Sequence, residues 1–179
     1  MSNSKLKKQI LCALFAALTA IFSQILIPLP FTPVPINLAT LAIFLSTTLL
    51  GTYYGTLSQI LYLLLGLVGL PVFAHFSGGA SIVLGPTGGY LIGYVLIALV
   101  SGLLIELSQK QGYAFLTLPV ALAAGMLFCY LPGTLWFMYV THTKLLPALS
   151  LCVFPFLLGD ALKIITATIL TKKLKKHIS

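Results

Sequence analysis

The segment Leu157-Leu-Gly-Asp160-Ala-Leu-Lys163-Ile-Ile places a carboxylate and an ammonium group inside a run of apolar residues. The run is long enough to cross a bilayer as a helix, where each charge at the centre costs roughly 2.5–3.5 kcal/mol on insertion scales. Two such costs approach the whole free energy of unfolding of a small domain, about 5–15 kcal/mol. A partner, a ligand or a water-lined cavity must offset these costs. We therefore expect the rest of the chain to form a helical bundle that encloses this pair.

The composition is that of an integral membrane protein. Of the 179 residues, 59% are hydrophobic and 7% are charged, and no Asp, Glu, Lys or Arg occurs between Lys8 and Glu106. A water-soluble fold cannot cover its surface with so few charges. The length allows about six spans of roughly 20 residues with short loops, so we expect no separate soluble domain.

The net charge of +8 comes mainly from lysines at the two ends of the chain. Such clusters at predicted membrane edges are typical of cytoplasmic segments and argue against nucleic-acid binding. Arginine is absent, so no bidentate guanidinium clamp is available for an anion. The terminal lysines are Lys5, Lys7, Lys8, Lys172, Lys173, Lys175 and Lys176.

The residues that could carry metal or catalytic chemistry are few and scattered. Cys12, Cys129 and Cys152 each lie in an apolar run, without disulfide or metal-ligand spacing. Three dispersed histidines and two acidic residues supply neither a metal site nor a catalytic set. We therefore expect no metal, no cofactor and no enzymatic activity.

The pattern of apolar runs predicts an all-α bundle of six transmembrane helices that forms one domain, residues 1–179. Six spans put both termini on one side, and the lysines place that side in the cytoplasm. The last span holds Asp160 about 15–20 Å from either end, near the midplane. The predicted spans are 9–27, 37–50, 56–70, 90–107, 113–140 and 147–171.

Two loops are predicted on the outer face, above Asp160. Four prolines in Pro28-Leu-Pro30-Phe-Thr-Pro33-Val-Pro35 predict a stiff, extended loop across a pocket mouth. Residues 69–89, GLPVFAHFSGGASIVLGPTGG, contain six glycines, whose amides a ligand can approach directly. Irregular backbone at a membrane is tolerated where it is buried in protein or lines a cavity. A plain tight reversal between helices is the alternative for this glycine loop.

Three interpretations of the Asp160–Lys163 pair remain open: a structural ion pair, a proton- or ion-coupling site, and a ligand site. We favour ligand capture, because residues i and i+3 share one face of a helix and can meet the same guest. The chain as a whole then resembles the substrate-binding subunit of a transporter. A membrane-embedded enzyme would need a catalytic set, and a channel would need several copies of this pair to build a selectivity ring.

Five segments of the chain resemble one known family. The combination is similar to BioY, the biotin-specific membrane subunit of energy-coupling-factor (ECF) vitamin transporters, over nearly the whole length. The segments are Ala13-Leu-Phe-Ala-Ala-Leu-Thr-Ala20, Pro33-Val-Pro35-Ile, Leu63-Leu-Leu-Gly-Leu-Val-Gly-Leu-Pro71-Val-Phe-Ala74, Gly85-Pro-Thr-Gly-Gly-Tyr90-Leu and Gly159-Asp160-Ala-Leu-Lys163.

The resemblance implies a subunit of the bacterial cytoplasmic membrane that captures biotin from outside. Its implied partners are a coupling transmembrane subunit, which contacts Ala13 and Ala17, and two ATPase subunits. Another small vitamin is the alternative substrate. The predicted substrate-binding residues are Phe73, Ser77, Gly78, Gly79, Thr87, Gly88, Gly89, Tyr90, Asp160 and Lys163.

The chemistry of biotin suits these residues. Asp160 can accept hydrogen bonds from the ureido N–H groups, each charge-assisted bond contributing about 1.5–3 kcal/mol. Lys163 can balance Asp160, bond the ureido oxygen or meet the carboxylate tail, and Phe73, Tyr90 and Trp136 can wall the thioether ring. Two positions depart from the family pattern: Asn37-Leu-Ala39 replaces an expected Thr-x-Gln, and His75 replaces a small residue.

Overall fold

The computed structural model describes residues 2–110 and 117–178, and helices carry most of this part of the chain. The start of the predicted fifth span, residues 113–116, lies outside the described residues. In chain order the elements are α1 (Ser2–Gln24), β1 (Leu26–Ile27), β2 (Ile36–Asn37), α2 (Ala39–Leu67), a 3-10 turn (Ala74–Phe76), α3 (Ala80–Leu84), α4 (Gly88–Lys110), α5 (Leu118–Thr141), α6 (Leu145–Cys152) and α7 (Phe154–Ile178).

The described helices include four that are long and apolar enough to cross a membrane. Together they make this an all-helical, multi-pass membrane protein. Three of the six predicted spans, 9–27, 90–107 and 113–140, overlap three of these helices, although α1 begins earlier and ends earlier than predicted. The four candidate spans are Lys5–Gln24, Gly88–Gln109, Leu118–Thr141 and Phe154–Lys175.

The predicted second and third spans are the two arms of a helical hairpin within α2. Gly51 breaks the helix with φ 82° and ψ −179°, a conformation that favours glycine. The arms fold back on each other, as shown by the distance of 3.4 Å between Gln59 Nε2 and Ser46 Oγ across the break. At the start of the second arm, the Thr52 N–H donates to Glu106 Oε1 over 2.9 Å. A carboxylate is favoured there by the orphan amides of a helix N-terminus.

The predicted sixth span, residues 147–171, is wrong as a single helix. The chain breaks at Val153 (φ −125°, ψ −60°), which separates the short α6 from α7. Pro155 explains the break, because it has no amide hydrogen to continue the α6 ladder but is well tolerated in the first turn of a new helix. The charged pair therefore sits in the first half of α7.

The proline loop is closed at its base by a small antiparallel ladder. Leu26 pairs with Asn37 and Ile27 with Ile36, so the ladder spans the eight residues between the two strands. Prolines have no amide hydrogen, which limits further pairing within the loop. The ladder also fixes Asn37 at the entrance to α2, where its Oδ1 accepts the Ala39 N–H over 3.1 Å.

The two ends of the bundle differ in character. Lys8 of α1, Gly51 of the hairpin, Glu106 of α4 and Lys175 of α7 line one cavity of about 300 Å³. Both ends of the described chain therefore lie beside the hairpin tip. The proline loop and the glycine loop lie at the other end, where they cover the interior between α2, α4, α5 and α7.

Candidate ligand-binding site

Asp160 is the centre of a buried polar cluster, which we call the Asp160 cluster and which comprises Tyr130, Asp160 and Lys163. Asp160 is 4% exposed and Lys163 is 8% exposed, so both face protein rather than lipid. Lys163 Nζ lies 2.9 Å from Asp160 Oδ1, and the Tyr130 hydroxyl donates to Asp160 Oδ2. Each carboxylate oxygen keeps a further acceptor site, and the ammonium group keeps further donors, for a guest.

Two helices build this cluster for simple geometric reasons. Asp160 and Lys163 are three residues apart in α7, so their side chains project from the same face. Tyr130 comes from α5, and its ring lies among the buried residues of the main core. The cluster thus ties α5 to α7 with one charge-assisted hydrogen bond, in an interior where an unpaired carboxylate would be costly.

A hollow lies directly beside the Asp160 cluster. It measures about 50 Å³, and we call it the charge-pair cavity; Asp160, Lys163, Tyr130 and Thr40 are among its lining residues. The Thr40 hydroxyl is buried and has no hydrogen-bond partner among the described residues. Buried polar groups in native structures are rarely left without partners, so this hydroxyl is a further place for a ligand to bond.

A larger cavity of about 290 Å³, which we call the loop cavity, adjoins the first. The two share walls, and a ligand could therefore extend from one to the other. Pockets for small ligands usually measure roughly 300–1,000 Å³ and combine apolar walls with a few polar groups. The shared lining residues are Val34, Pro35, Asn37, Tyr90 and Tyr94.

Aromatic rings form part of the wall of the loop cavity. Tyr62 and Phe73 meet edge to face with their ring centroids 5.5 Å apart, and Tyr62 and Tyr94 stack at 6.3 Å. Aromatic pairs at these distances hold one another's rings in place. The cavity consequently presents preformed ring surfaces, on which a flat or sulfur-containing ring system can pack.

Of the predicted substrate-binding residues, some line the cavities and others do not. The loop cavity is lined by Phe73, Ser77, Thr87 and Tyr90, and the charge-pair cavity by Tyr90, Asp160 and Lys163. Gly78, Gly79, Gly88 and Gly89 lie outside both linings. A side chain at Gly88 would overlap the Val83 carbonyl, and one at Gly78 the Leu70 carbonyl. Close backbone packing therefore accounts for these two glycines, and ligand contact at all four stays a prediction.

Trp136 also differs from its predicted place. Its Nε1 donates to the Gly85 carbonyl over 2.9 Å, and it lines neither cavity. It fixes the turn before α4, and its contact with a ligand stays a prediction.

Tyr90 is held at the junction of the two cavities by α5. Its hydroxyl lies 3.1 Å from Thr134 Oγ1, and its ring packs directly on Gly133. A side chain at 133 would overlap the ring, so glycine at this position is what lets Tyr90 enter the core.

Replacement of that glycine should destabilise the fold. We expect Gly133→Ala to lower the free energy of unfolding by about 1–3 kcal/mol, the usual cost of overpacking a core. Gly159→Ala is the matched control, because the nearest atom to the added methyl group is Ile36 Cγ2 at 3.8 Å. Thermal unfolding in detergent checks this, and equal midpoints for the two variants would contradict the packing role of Gly133.

A tight turn at residues 73–77, which we call the His75 turn, forms one edge of the loop cavity. His75 (φ 59°) and Phe76 (φ 53°) are both left-handed, a conformation that costs non-glycine residues free energy. Gln24 holds the turn, since its Nε2 donates to the Phe73 carbonyl and its Oε1 accepts the Phe76 N–H, each over 2.9 Å. Ser23 adds a hydrogen bond to the Val72 carbonyl over 2.6 Å.

Sequence reasoning missed several of the lining residues. Tyr94 follows Tyr90 by one helical turn, and this i, i+4 spacing could have identified it as a second aromatic on the same face. Asn37 belongs to a segment that departs from the family pattern, yet it lines both cavities and supplies a polar side chain there. Tyr130 is separated from Asp160 by thirty residues, and the sequence carries no local signal for their contact.

Comparisons with known proteins agree with this architecture. The family model described as BioY family matches residues 1–179. The chain belongs to the BioY family. The Thermotoga maritima "Biotin transporter BioY" is 39% identical over 171 residues, covering 96% of this chain and 97% of that protein. The Pyrococcus horikoshii "Probable biotin transporter BioY" is 37% identical over 172 residues, covering 96% and 98%.

A solved structure shares the fold of this BioY-family chain. It is described as the S-component for biotin from an ECF-type ABC transporter, and it matches with a TM-score of 0.90 and 31% identity. The match covers 98% of this chain and 94% of the solved one. The BioY family comprises transporter components and is not a family of enzymes.

Proposed function

We propose that this BioY-family chain is the substrate-binding subunit of an ECF-type transporter and that it captures biotin in the two joined cavities. The observation that carries the proposal is a buried acid–base pair with a hydrogen-bonding tyrosine, set beside a hollow that opens into an aromatic cavity. Family membership and the solved biotin S-component support it.

The membrane topology we propose has six crossings: α1, the two arms of α2, α4, α5 and α7. An even number of crossings agrees with both chain ends lying beside the hairpin tip. Lysines flank that end, which favours the cytoplasmic side of a bacterial membrane. The proline and glycine loops then face outward, and biotin enters beneath them.

We assign the ureido ring of biotin to the charge-pair cavity, because its polar groups complement the residues there. Its two N–H groups can donate to the remaining acceptor sites of the Asp160 carboxylate, and its oxygen can accept from Lys163. Thr40 and Asn37 line the same cavity and can make further polar contacts with the ligand. The thioether ring then reaches the aromatic walls around Tyr90 and Tyr94, where sulfur–aromatic contacts are favourable.

The proposed partners are an ECF coupling subunit and two ATPase subunits, with α1 as the contact surface. Ala13 and Ala17 are exposed on α1 and lie four residues apart on one face. Small residues at this spacing let another membrane helix approach closely. Packing among the described residues does not use this face, since its large neighbours Ile10, Leu14 and Ile21 are exposed as well.

Ligand-binding calorimetry on the detergent-purified chain tests the proposed function. We expect tight biotin binding in the absence of ATP, and no comparable binding of riboflavin or thiamine, which lack a ureido group beside a thioether ring. Dethiobiotin distinguishes the contributions of the two cavities to the binding affinity, because it keeps the ureido group but loses the sulfur ring. Stronger binding of an unrelated vitamin than of biotin would refute the proposal.

A further inference from the structure

The charge-pair cavity is a poor place for the carboxylate of a ligand. Lys163 Nζ lies 2.9 Å from Asp160 Oδ1, so an anion that contacts Lys163 also comes within a few ångströms of the Asp160 carboxylate. Like charges at that range repel strongly in a buried site. With the ureido ring at Asp160, the valerate tail of biotin therefore points away, into the loop cavity.

The loop cavity offers this carboxylate one nitrogen base. Of the described residues that line it, His75 alone can carry a positive charge, and none of them is acidic. An imidazole donates a ring N–H in either charge state, so it can bond a carboxylate whether or not it is protonated. The hydroxyl groups of Ser77 and Thr87 line the same cavity.

The backbone conformation of the His75 turn costs free energy, and this conformation sets the position of the His75 side chain. His75 and the residue after it are held left-handed, and two hydrogen bonds from the side chain of Gln24 brace the turn on both sides of His75. Strained backbone of this kind persists where the surrounding structure fixes it, and it is concentrated at ligand sites.

We propose that His75 is a specificity-determining residue that binds the free carboxylate of the ligand at the edge of the loop cavity, with Gln24 as its positioning residue. This inference rests on the proposed function and adds the direction in which biotin lies. It also predicts the substrate class more narrowly: a ureido compound with a free anionic tail, in preference to the amide or ester of the same compound.

The experiment compares biotin with biotinamide, in which a neutral carboxamide replaces the carboxylate at almost the same size. For the unmodified chain we expect biotin to bind about tenfold more tightly than biotinamide, because hydrogen bonds to a charged group are roughly twice as strong as neutral ones. His75→Gly should remove this preference, because it weakens biotin binding about tenfold more than biotinamide binding. Glycine is chosen because it adopts the left-handed conformation without strain. His75→Lys should keep the preference.

His142→Ala is the matched control. His142 is an exposed histidine with a left-handed backbone (φ 55°), and it lines neither cavity. We expect this variant to keep both affinities. A His75→Gly variant that keeps the full preference for biotin, or that loses both ligands equally, overturns the inference while the proposed function stands. Failure of the unmodified chain to bind either ligand would instead overturn the proposed function.

Discussion

Asp160→Asn is expected to weaken biotin binding at least about 100-fold. The substitution keeps the shape of the side chain but removes the negative charge of the carboxylate to which, as proposed, the ureido N–H groups donate. Two charge-assisted hydrogen bonds contribute about 1.5–3 kcal/mol each, and a tenfold change in affinity corresponds to about 1.4 kcal/mol. Titration calorimetry of the purified variant measures the loss directly.

The same substitution also leaves Lys163 as a buried cation without its counter-charge. Breaking a buried pair in this way destabilises a protein by about 3–5 kcal/mol, so lost binding could reflect lost folding. The double variant Asp160→Asn/Lys163→Met separates the two effects, since it removes both charges together. We expect it to regain the unfolding midpoint of the unmodified chain and still bind no biotin. Recovery of binding in the double variant would show that the pair is structural only.

Ala17→Leu, alone or with Ala13→Leu, is expected to lower biotin uptake by cells at least about tenfold while biotin affinity changes less than twofold. Leucine on this face keeps a neighbouring helix from approaching α1 closely, the mode of association that small residues permit in membranes. Neither alanine lines the loop cavity or the charge-pair cavity, so capture should continue. The loss of transport is checked by measuring uptake of labelled biotin in cells that express the partner subunits. The unchanged affinity is checked by calorimetry on the purified variant.

The control for this prediction is Ala123→Leu. Ala123 is also an exposed alanine in a membrane helix, but it lies on α5, away from the proposed contact surface. It should leave uptake unchanged. Equal loss of uptake in Ala123→Leu and Ala17→Leu would show that any bulky residue on the lipid face is harmful, and Ala17 would then have no special part in assembly.

Much of the architecture follows from the residues themselves. The absence of charge between Lys8 and Glu106 predicts a membrane protein, and the prolines and glycines place the loops where the structure has them. The hairpin at Gly51 was predicted only as two separate spans, because the sequence shows the break but not the direction of the chain after it. The division at Val153 was missed, although Pro155 is a visible signal for it.

The site was less predictable, because its geometry depends on contacts between distant segments. Asp160 and Lys163 could be identified from their cost in a membrane, and Tyr90 from the family motif. The hydrogen bond of Tyr130 to Asp160, the bracing of the His75 turn by Gln24 and the place of Asn37 at both cavities come from packing of one helix or loop on another. Local periodicity contains no information on such pairs.

The short spacing between Asp160 and Lys163 has a consequence for biogenesis. The two groups lie on one helix and reach each other within a single turn, so their ion pair needs no other part of the protein. The apolar part of α7, residues 154–171, carries no other charge and can thus leave the translocon as an electrically neutral segment, before the remaining helices have assembled around it. Had the counter-charge been placed on another helix, the nascent segment would have met the lipid with a bare charge.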